Sequence, residues 1–315
     1  MTLISVMIPT MRRPESFLRA ARSVLTQTGV GASFEIIAVD NAPEGSAVEA
    51  FALFSAEASA AGIPFRHAHE PNPGVANARN AAMGLAKGDL IACLDDDEEA
   101  PLHWLAALLR VQRETKADAV FGPVMAQLPP NTSPHAAFFE SVYTRTGPAQ
   151  SGPVDRYYGM GNSLVVRATI LPNTPPFDLE ANEKGGEDDL LFSKAQAKGC
   201  RFAWAADAPV IEHLPPARAT LRHAIKRSFA YGQGPCEAAA SLSPPDWAAI
   251  AKHMVVGICQ MSVFGILAAL AFAIRAKHRL WLLDKAARGA GKVFWWSPQR
   301  FYGAHALISE ANAPK

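Results

Sequence analysis

The stretch Lys87-Gly88-Asp89-Leu90-Ile91-Ala92-Cys93-Leu94-Asp95-Asp96-Asp97-Glu98-Glu99 decides the fold. Leu90 to Leu94 is an apolar run with the length of one buried strand. It stops abruptly in five consecutive acids. In an open α/β sheet, ligands bind at the carboxyl ends of the strands. Carboxylates crowded at such an edge repel one another and invite a hard divalent cation, which takes oxygen ligands and commonly holds substrate phosphates as well. Taken alone, the run also reads as a solvated acidic turn.

Upstream of this strand the pattern alternates. Leu3 to Ile8 reads as a first strand, closed by Pro9 and the loop Thr10-Met11-Arg12-Arg13, with Pro14 opening a helix. Phe34 to Val39 is a second strand ending in Asp40, and Ser46 is placed to cap a second helix reaching about Ala61. Phe65 to Ala68 is a third strand, and Val75 to Ala86 a third helix stopped by Gly88. Downstream, Pro101 opens a fourth helix and Ala119 to Val124 forms a fifth strand. This order predicts a mostly parallel sheet with helices on both faces.

Composition narrows the class. The 315 residues are 49% hydrophobic, as in a folded chain of one large or two smaller domains. The net charge of +1 provides no global field for nucleic acid. The cysteines at 93, 200, 236 and 259 form no CxxC pair, which disfavours a zinc site or a disulfide framework and suits a reducing cytosol. The N-terminus has no basic segment or cleavage site of a signal peptide, and no internal repeat is visible.

Two further places carry chemistry. Asp40 stands where a dinucleotide-binding fold holds a ribose, but the turn after the first strand lacks glycine, so a nicotinamide cofactor is excluded. Asp40 is either a contact to a ribose or base, or an ordinary turn residue. The run Gly185-Gly186-Glu187-Asp188-Asp189 opens a helix. Its acids serve either as partners of the helix dipole or as reacting groups, and its glycines permit close approach of a substrate.

In order along the chain, Ser5-Val6-Met7-Ile8-Pro9-Thr10, Ile37-Ala38-Val39-Asp40, Gly74 with Ala78-Arg79-Asn80, Leu94-Asp95-Asp96-Asp97 and Gly185-Gly186-Glu187-Asp188-Asp189-Leu190 resemble the family-two inverting glycosyltransferases with the GT-A (nucleotide-diphospho-sugar transferase) fold. Trp104-Leu105, Ala117-Asp118-Ala119-Val120-Phe121-Gly122-Pro123-Val124, Gly161-Asn162-Ser163 and Pro215-Pro216-Ala217-Arg218-Ala219-Thr220 resemble in particular the ExoM-like glucosyltransferases of succinoglycan assembly. The resemblance implies a nucleotide site at Pro9, Thr10, Asp40, Arg79, Asp95 and Asp96. It implies Mg²⁺ or Mn²⁺ held by Asp97, with His213 where many such enzymes place a further ligand. It makes Asp188 the catalytic base, and Gly161, Asn162, Glu187 and Trp204 the acceptor-side candidates. It also implies transfer of a sugar, glucose in this subgroup, from a UDP-type donor to a lipid-linked saccharide, forming a β-linkage. A sugar nucleotidyltransferase, which would want a glycine-rich loop near the N-terminus, and a non-catalytic sugar-binding scaffold are the alternatives.

The last third is different. Thr220 to Tyr231 is basic, and Met254 to Ile274 contains no charged residue. Arg275, Lys277, Arg279, Trp281, Trp295 and Trp296 follow. About 20 apolar residues suffice to span a bilayer. A single span would leave the basic tail outside, against the positive-inside tendency, so an in-plane or re-entrant foot on the cytosolic membrane face is expected. A buried helix or a homodimer interface stays open. The expected domains are a catalytic domain over 1–215, a basic helical connector over 216–250 and a membrane-associating region over 251–315.

Overall fold

The computed structural model describes residues 2–130, 132, 135–180, 182 and 186–297. The described residues form two compact units, one of residues up to Gln127 with Thr144–His213, the other of Leu128–Tyr143 with residues 214–297.

In the first unit, β1 (Leu3–Thr10), α1 (Pro14–Leu25), β2 (Ser33–Asp40), α2 (Val48–Ala60), β3 (Phe65–His69), α3 (Val75–Leu85) and β4 (Leu90–Cys93) alternate as the sequence predicts. The strands pair in parallel in the order β3-β2-β1-β4. Side chains alternate across this sheet because the strand period is two. Ile4, Val6 and Ile8 of β1 enter one apolar cluster with Phe17, Val24 and Phe54. Met7 enters the opposite cluster with Ile37, Ile91 and Met83. The chain leaves β1 toward β2 on one side and reaches β4 on the other, so a switch point lies between the carboxyl ends of β1 and β4.

Beyond β4 come the two-residue β5 (Glu98–Glu99), α4 (Trp104–Thr115), β6 (Ala119–Phe121) and β7 (Val124–Gln127). The single strand expected over 119–124 is therefore two. Pro123 has no N–H for a ladder. A Cβ on Gly122 would lie 2.5 Å from the Ala208 carbonyl and 2.6 Å from the Asn162 amide. The chain breaks there and β7 joins a separate three-stranded sheet. The expected cap at Ser46 also differs. No side-chain hydrogen bond caps α2, and the Ser46 hydroxyl donates instead to Asp40 Oδ1 (3.2 Å). Gly88 does not stop α3 through a left-handed turn, since Ala86 closes that helix in an extended conformation. Gly88 instead packs so closely on β1 that a Cβ would sit 2.7 Å from the Leu3 carbonyl oxygen.

The chain between the two halves of this unit carries α5 (Ala136–Tyr143), which belongs to the second unit. The first unit resumes with β8 (Gly152–Val154), β9 (Ser163–Val166), α6 (Arg167–Ile170), α7 (Glu187–Ala197), β10 (Phe202–Trp204) and β11 (Val210–His213). β9 inserts antiparallel between β4 and β6, completing the order β3-β2-β1-β4-β9-β6-β10-β8. β5, β11 and β7 make the smaller sheet.

In the second unit, α8 (Leu221–Ala240), α9 (Trp247–Ala273) and α10 (Arg279–Val293) pack on one another. Thr220 caps α8 and Asp246 caps α9 with side-chain oxygens, as short polar residues do at helix starts. Close approach of α9 and α10 is set by Gly257 and Gly289. A Cβ on Gly257 would come within 2.8 Å of the Gly289 carbonyl oxygen.

Candidate active site

The acids that end β4 form a tight turn. The Glu98 amide donates to the Asp95 carbonyl (3.0 Å), and the Asp95 amide donates to Glu98 Oε2 (3.0 Å). The turn faces the end of β1 across the switch point. There Thr10 Oγ1 donates to Asp96 Oδ2 (2.7 Å). Arg13, from the loop after β1, places one guanidinium nitrogen 3.2 Å from Asp96 Oδ1 and 3.1 Å from Asp97 Oδ2.

α3 and α7 supply the next layer. Arg79 of α3 is buried and ion-paired with Glu187, the first residue of α7. Its other nitrogen lies 3.7 Å from Asp95 Oδ1, and Phe177 stacks on the guanidinium at 5.8 Å. Asp188 follows Glu187, and its Oδ2 accepts the Met160 backbone N–H at 3.0 Å. Met160 lies in the loop Gly159–Asn162, which leads into β9. A Cβ added to Gly161 would lie 2.4 Å from Asp95 Oδ2, and one added to Gly159 would lie 3.3 Å from Asp188 Oδ2. The loop thus touches both Asp95 and Asp188, and a side chain at 161 would displace the Asp95 carboxylate.

Arg145 closes the arrangement. Its guanidinium donates to the carbonyls of Gly122 (3.1 Å), Gly159 (3.2 Å), Gly161 (2.5 Å) and Asn162 (3.3 Å). Three arginines, at 13, 79 and 145, therefore face one acid-rich edge.

Burial dominates the electrostatics. Partial desolvation raises the Asp95 carboxyl, although its side chain stays open at the rim; Arg79 pulls the other way, while Asp97 and Asp188 push it further up. Burial pushes Asp96 up to about 6 against the pull of Arg13, and Glu187 up to about 6 against the pull of Arg79. Glu98 rises well above the usual carboxylate range, through burial and the nearby Asp95. Burial also lowers Arg145, opposed by Glu98, Asp95 and Asp188. Such an edge holds more negative charge than three internal guanidinium groups comfortably offset, and perturbed groups in a cleft mark functional sites.

The expected site residues fall in four places. Thr10, Arg79, Asp95, Asp96, Asp97, Gly161, Glu187 and Asp188 are brought together, with Pro9 at the adjoining end of β1. Asp40 lies at the neighbouring strand end, buried, with Oδ1 on the Ala42 amide (3.0 Å) and Oδ2 on the Ala47 amide (2.6 Å). It organises the loop into α2 in this conformation. His213 directs Nε2 to Glu99 Oε2 at 2.8 Å, while its backbone amide donates to the Asp97 carbonyl (2.8 Å). Two acceptor-side candidates lie in the core. Asn162 is fully buried, accepting from Trp104 Nε1 (2.7 Å) and donating to the Pro123 and Ala208 carbonyls. Trp204 is 1% exposed and packs on Tyr158 with ring centroids 4.6 Å apart. Gly185 lies outside the described residues.

Sequence reasoning missed Arg13 and Arg145. The position of Arg13 directly after a strand's carboxyl end was an available signal. Arg145 sits in a proline-rich stretch without periodicity, where no local pattern marks it.

The donor set suits a hard divalent cation, being carboxylate oxygen throughout. Asp95 keeps 43% of its side chain exposed, and Asp97 reaches the same turn. Among the described residues no three His, Cys, Asp or Glu side chains converge as a ready cage. One or two carboxylates completed by substrate phosphates are what Mg²⁺ usually takes, so the residues fit that mode.

Comparison with known proteins agrees with this architecture. The family model for glycosyl transferase family 2 matches residues 5–169. The chain is 31% identical over 232 residues to the succinoglycan biosynthesis protein ExoM of Rhizobium meliloti (strain 1021), covering 73% of each chain. The fold is similar to S. aureus TarS 1–349 in complex with UDP-GlcNAc, with TM-score 0.53, 13% identity, and 93% of this chain and 91% of that one covered. The chain spans 39% of the longer TarS structure. It is also similar to GalNAc-T7 with UDP, GalNAc and Mn²⁺, with TM-score 0.54, 16% identity, and 75% of this chain and 51% of that one covered. GT-A glycosyltransferases generally use a divalent cation, in keeping with the acid-rich edge. The parallel sheet with its acidic strand end is thus the GT-A fold, and with a family model spanning over half of its residues the chain belongs to glycosyl transferase family 2: it is a glycosyltransferase.

Proposed function

We propose that the protein transfers a sugar from a UDP-sugar to a saccharide acceptor with inversion, Asp188 acting as the general base. The carrying observation is the Gly159–Asn162 loop, which joins Asp188 to Asp95 although they come from different elements. Pro9, Thr10, Asp40 and Arg79 line or support the nucleotide side, and Gly161 and Glu187 lie on the way to the acceptor. Asp188 Oδ2 takes the proton of the attacking hydroxyl as the new C–O bond forms at the anomeric carbon. The bond to the diphosphate breaks on the opposite face, so an α-linked donor gives a β-linkage. Asp97 with Asp95 would hold Mg²⁺ or Mn²⁺, which supplies positive charge to the departing diphosphate. His213 would have to leave Glu99 to join them. Arg13 neutralises Asp96 and Asp97 before the donor arrives.

The identity to a succinoglycan biosynthesis protein supports a role in exopolysaccharide assembly; glucose as the sugar and a lipid-linked saccharide as the acceptor are what the motif resemblance implies. The second unit supports attachment to the cytosolic membrane face. α9 is 27 residues, about 40 Å, and Val255, Ile258, Val263, Ile266 and Leu270 are all exposed on it. α10 runs back along α9 and places Lys285 5.0 Å from the Phe264 ring and Lys292 Nζ 3.0 Å from Gln260 Oε1. Burying α9 across a bilayer would draw these charges toward its middle, which is costly. α9 and α10 therefore act as an in-plane foot.

A panel of UDP-glucose, UDP-galactose and UDP-GlcNAc with Mn²⁺ or Mg²⁺, scored by UDP release and by protection against thermal unfolding, tests the activity. Release from none of them, or release undiminished by a chelator, overturns the donor or the cation assignment respectively. For the foot, Ile266→Lys with Leu270→Lys is expected to move the protein from membranes to the soluble fraction. Unchanged fractionation would refute the role of α9.

A further inference from the structure

We infer that Arg145 is a positioning residue of the transfer reaction: its guanidinium fixes the Gly159–Asn162 loop, whose Met160 amide then aims the Asp188 carboxylate. The inference rests on the reading of Asp188 as the base.

The loop's carbonyls lie at a strand entrance, where ladder partners run out. Gly122 N–H still pairs with the Asn162 carbonyl (3.0 Å), but the Gly159 and Gly161 carbonyls turn to Arg145. Arg145 is itself held by its backbone, which exchanges hydrogen bonds of 2.8 and 3.0 Å with Val124 at the start of β7. A planar fork with five donors can serve several carbonyls at once, whereas a lysine ammonium is a point charge on a flexible stem. The geometry leaves the loop little freedom on its other side. Gly161 abuts Asp95 and Gly159 abuts Asp188. Movement of the loop by a fraction of an ångström therefore moves the acceptor for the hydroxyl proton and a carboxylate of the donor side together. The positive charge adds to this, since it faces Glu98, Asp95 and Asp188 within the same edge.

Hydrogen exchange on the full-length protein and its Arg145→Lys and Arg145→Gln variants tests the clamp without any substrate. Peptides covering residues 157–163 are expected to lose protection in both variants, while those covering β1 and β4 keep it. UDP release is then measured with UDP-glucose, or whichever UDP-sugar of the panel turns over, for wild type, Arg145→Lys, Asp188→Asn and the double variant. Arg145→Lys is expected to slow release on the order of 10²-fold with donor KM nearly unchanged, the cost of a misplaced reacting group. In the Asp188→Asn background it is expected to cost less than about threefold more, because residues that act as a unit are non-additive. Unchanged exchange in 157–163 overturns the inference, as does a full additional loss in the Asp188→Asn background. Loss of the folded state in both variants also overturns it, in favour of a purely structural role. Normal turnover by Asp188→Asn alone defeats the base assignment instead, and the exchange result still decides whether Arg145 holds the loop.

Discussion

Asp95 to Glu99 and Glu187 to Asp189 are both acidic runs, yet their members are sorted in opposite ways. In the first run the inner acids are the buried ones. Asp96, Asp97 and Glu98 are between 3% and 8% exposed, while Asp95 at the rim is open. In the second, the leading acid is buried and the following ones open outward. Glu187 is 7% exposed against Arg79, and Asp188 turns to the Met160 amide. A turn and a helix start project consecutive side chains in different directions, so neighbours in sequence meet different surroundings. The two runs are joined by Arg79, which reaches Glu187 with one nitrogen and Asp95 with the other. In the second run Asp188 is half-buried and its carboxylate accepts the Met160 amide, which is the ground on which it is proposed as the base.

Substitutions that treat the runs differently test this. Asp188→Asn is expected to lower UDP release on the order of 10²–10⁴-fold. UDP with Mn²⁺ should still protect that variant against thermal unfolding, whereas Asp97→Asn should lose the Mn²⁺-dependent protection. Equal loss of protection in both would erase the distinction between the runs.

The bridge between the runs comes next. Arg79→Met leaves the Glu187 carboxylate buried and unpaired, which is expected to cost about 3–5 kcal/mol of stability in denaturant unfolding. Arg79→Met with Glu187→Leu should recover most of it. A loss below about 1 kcal/mol for Arg79→Met would show that the pair does not hold α3 to α7.

Glu187 also predicts a pH dependence. Its folded pKa of about 6 stands above the ordinary 4.5, so the folded state binds the extra proton between those values. Its contribution is therefore fully present below about pH 4.5 and fades as pH rises through about 6, a change of roughly 2 kcal/mol. The difference in unfolding free energy between wild type and Glu187→Gln should vary across that window and level off above it. A difference independent of pH would contradict the shifted titration.

The smallest effect is expected at His213. Its pair with Glu99 is partly exposed, and such pairs contribute about 0–1 kcal/mol. His213→Gln should change stability by no more than that and leave the Mn²⁺ dependence of UDP release in place. A large rise in the Mn²⁺ concentration required would instead put His213 beside the cation.

Sequence by itself determined the alternating strands and helices through β4 and the placement of acids at the carboxyl edge. Those features follow from periodicities of two and 3.6 and from turn residues, all legible within a short window. It also marked α9 as a helix long and apolar enough to cross a membrane, a property of length and composition alone. What only the tertiary structure decided depends on residues distant in the chain. Asn162 lies within the Gly161-Asn162-Ser163 motif and Trp204 ends an apolar run, but packing against Trp104 and Tyr158 places them in the core. Asp40 ends its strand as expected, yet the amides of Ala42 and Ala47 take its carboxylate. The ladder break at Gly122-Pro123 sends one apolar run into two sheets. Arg13 and Arg145 are each one arginine among many in sequence. They become site residues only when the fold carries them to carboxylates and loop carbonyls that leave water on folding, since a group removed from water must find its partner wherever the chain brings one.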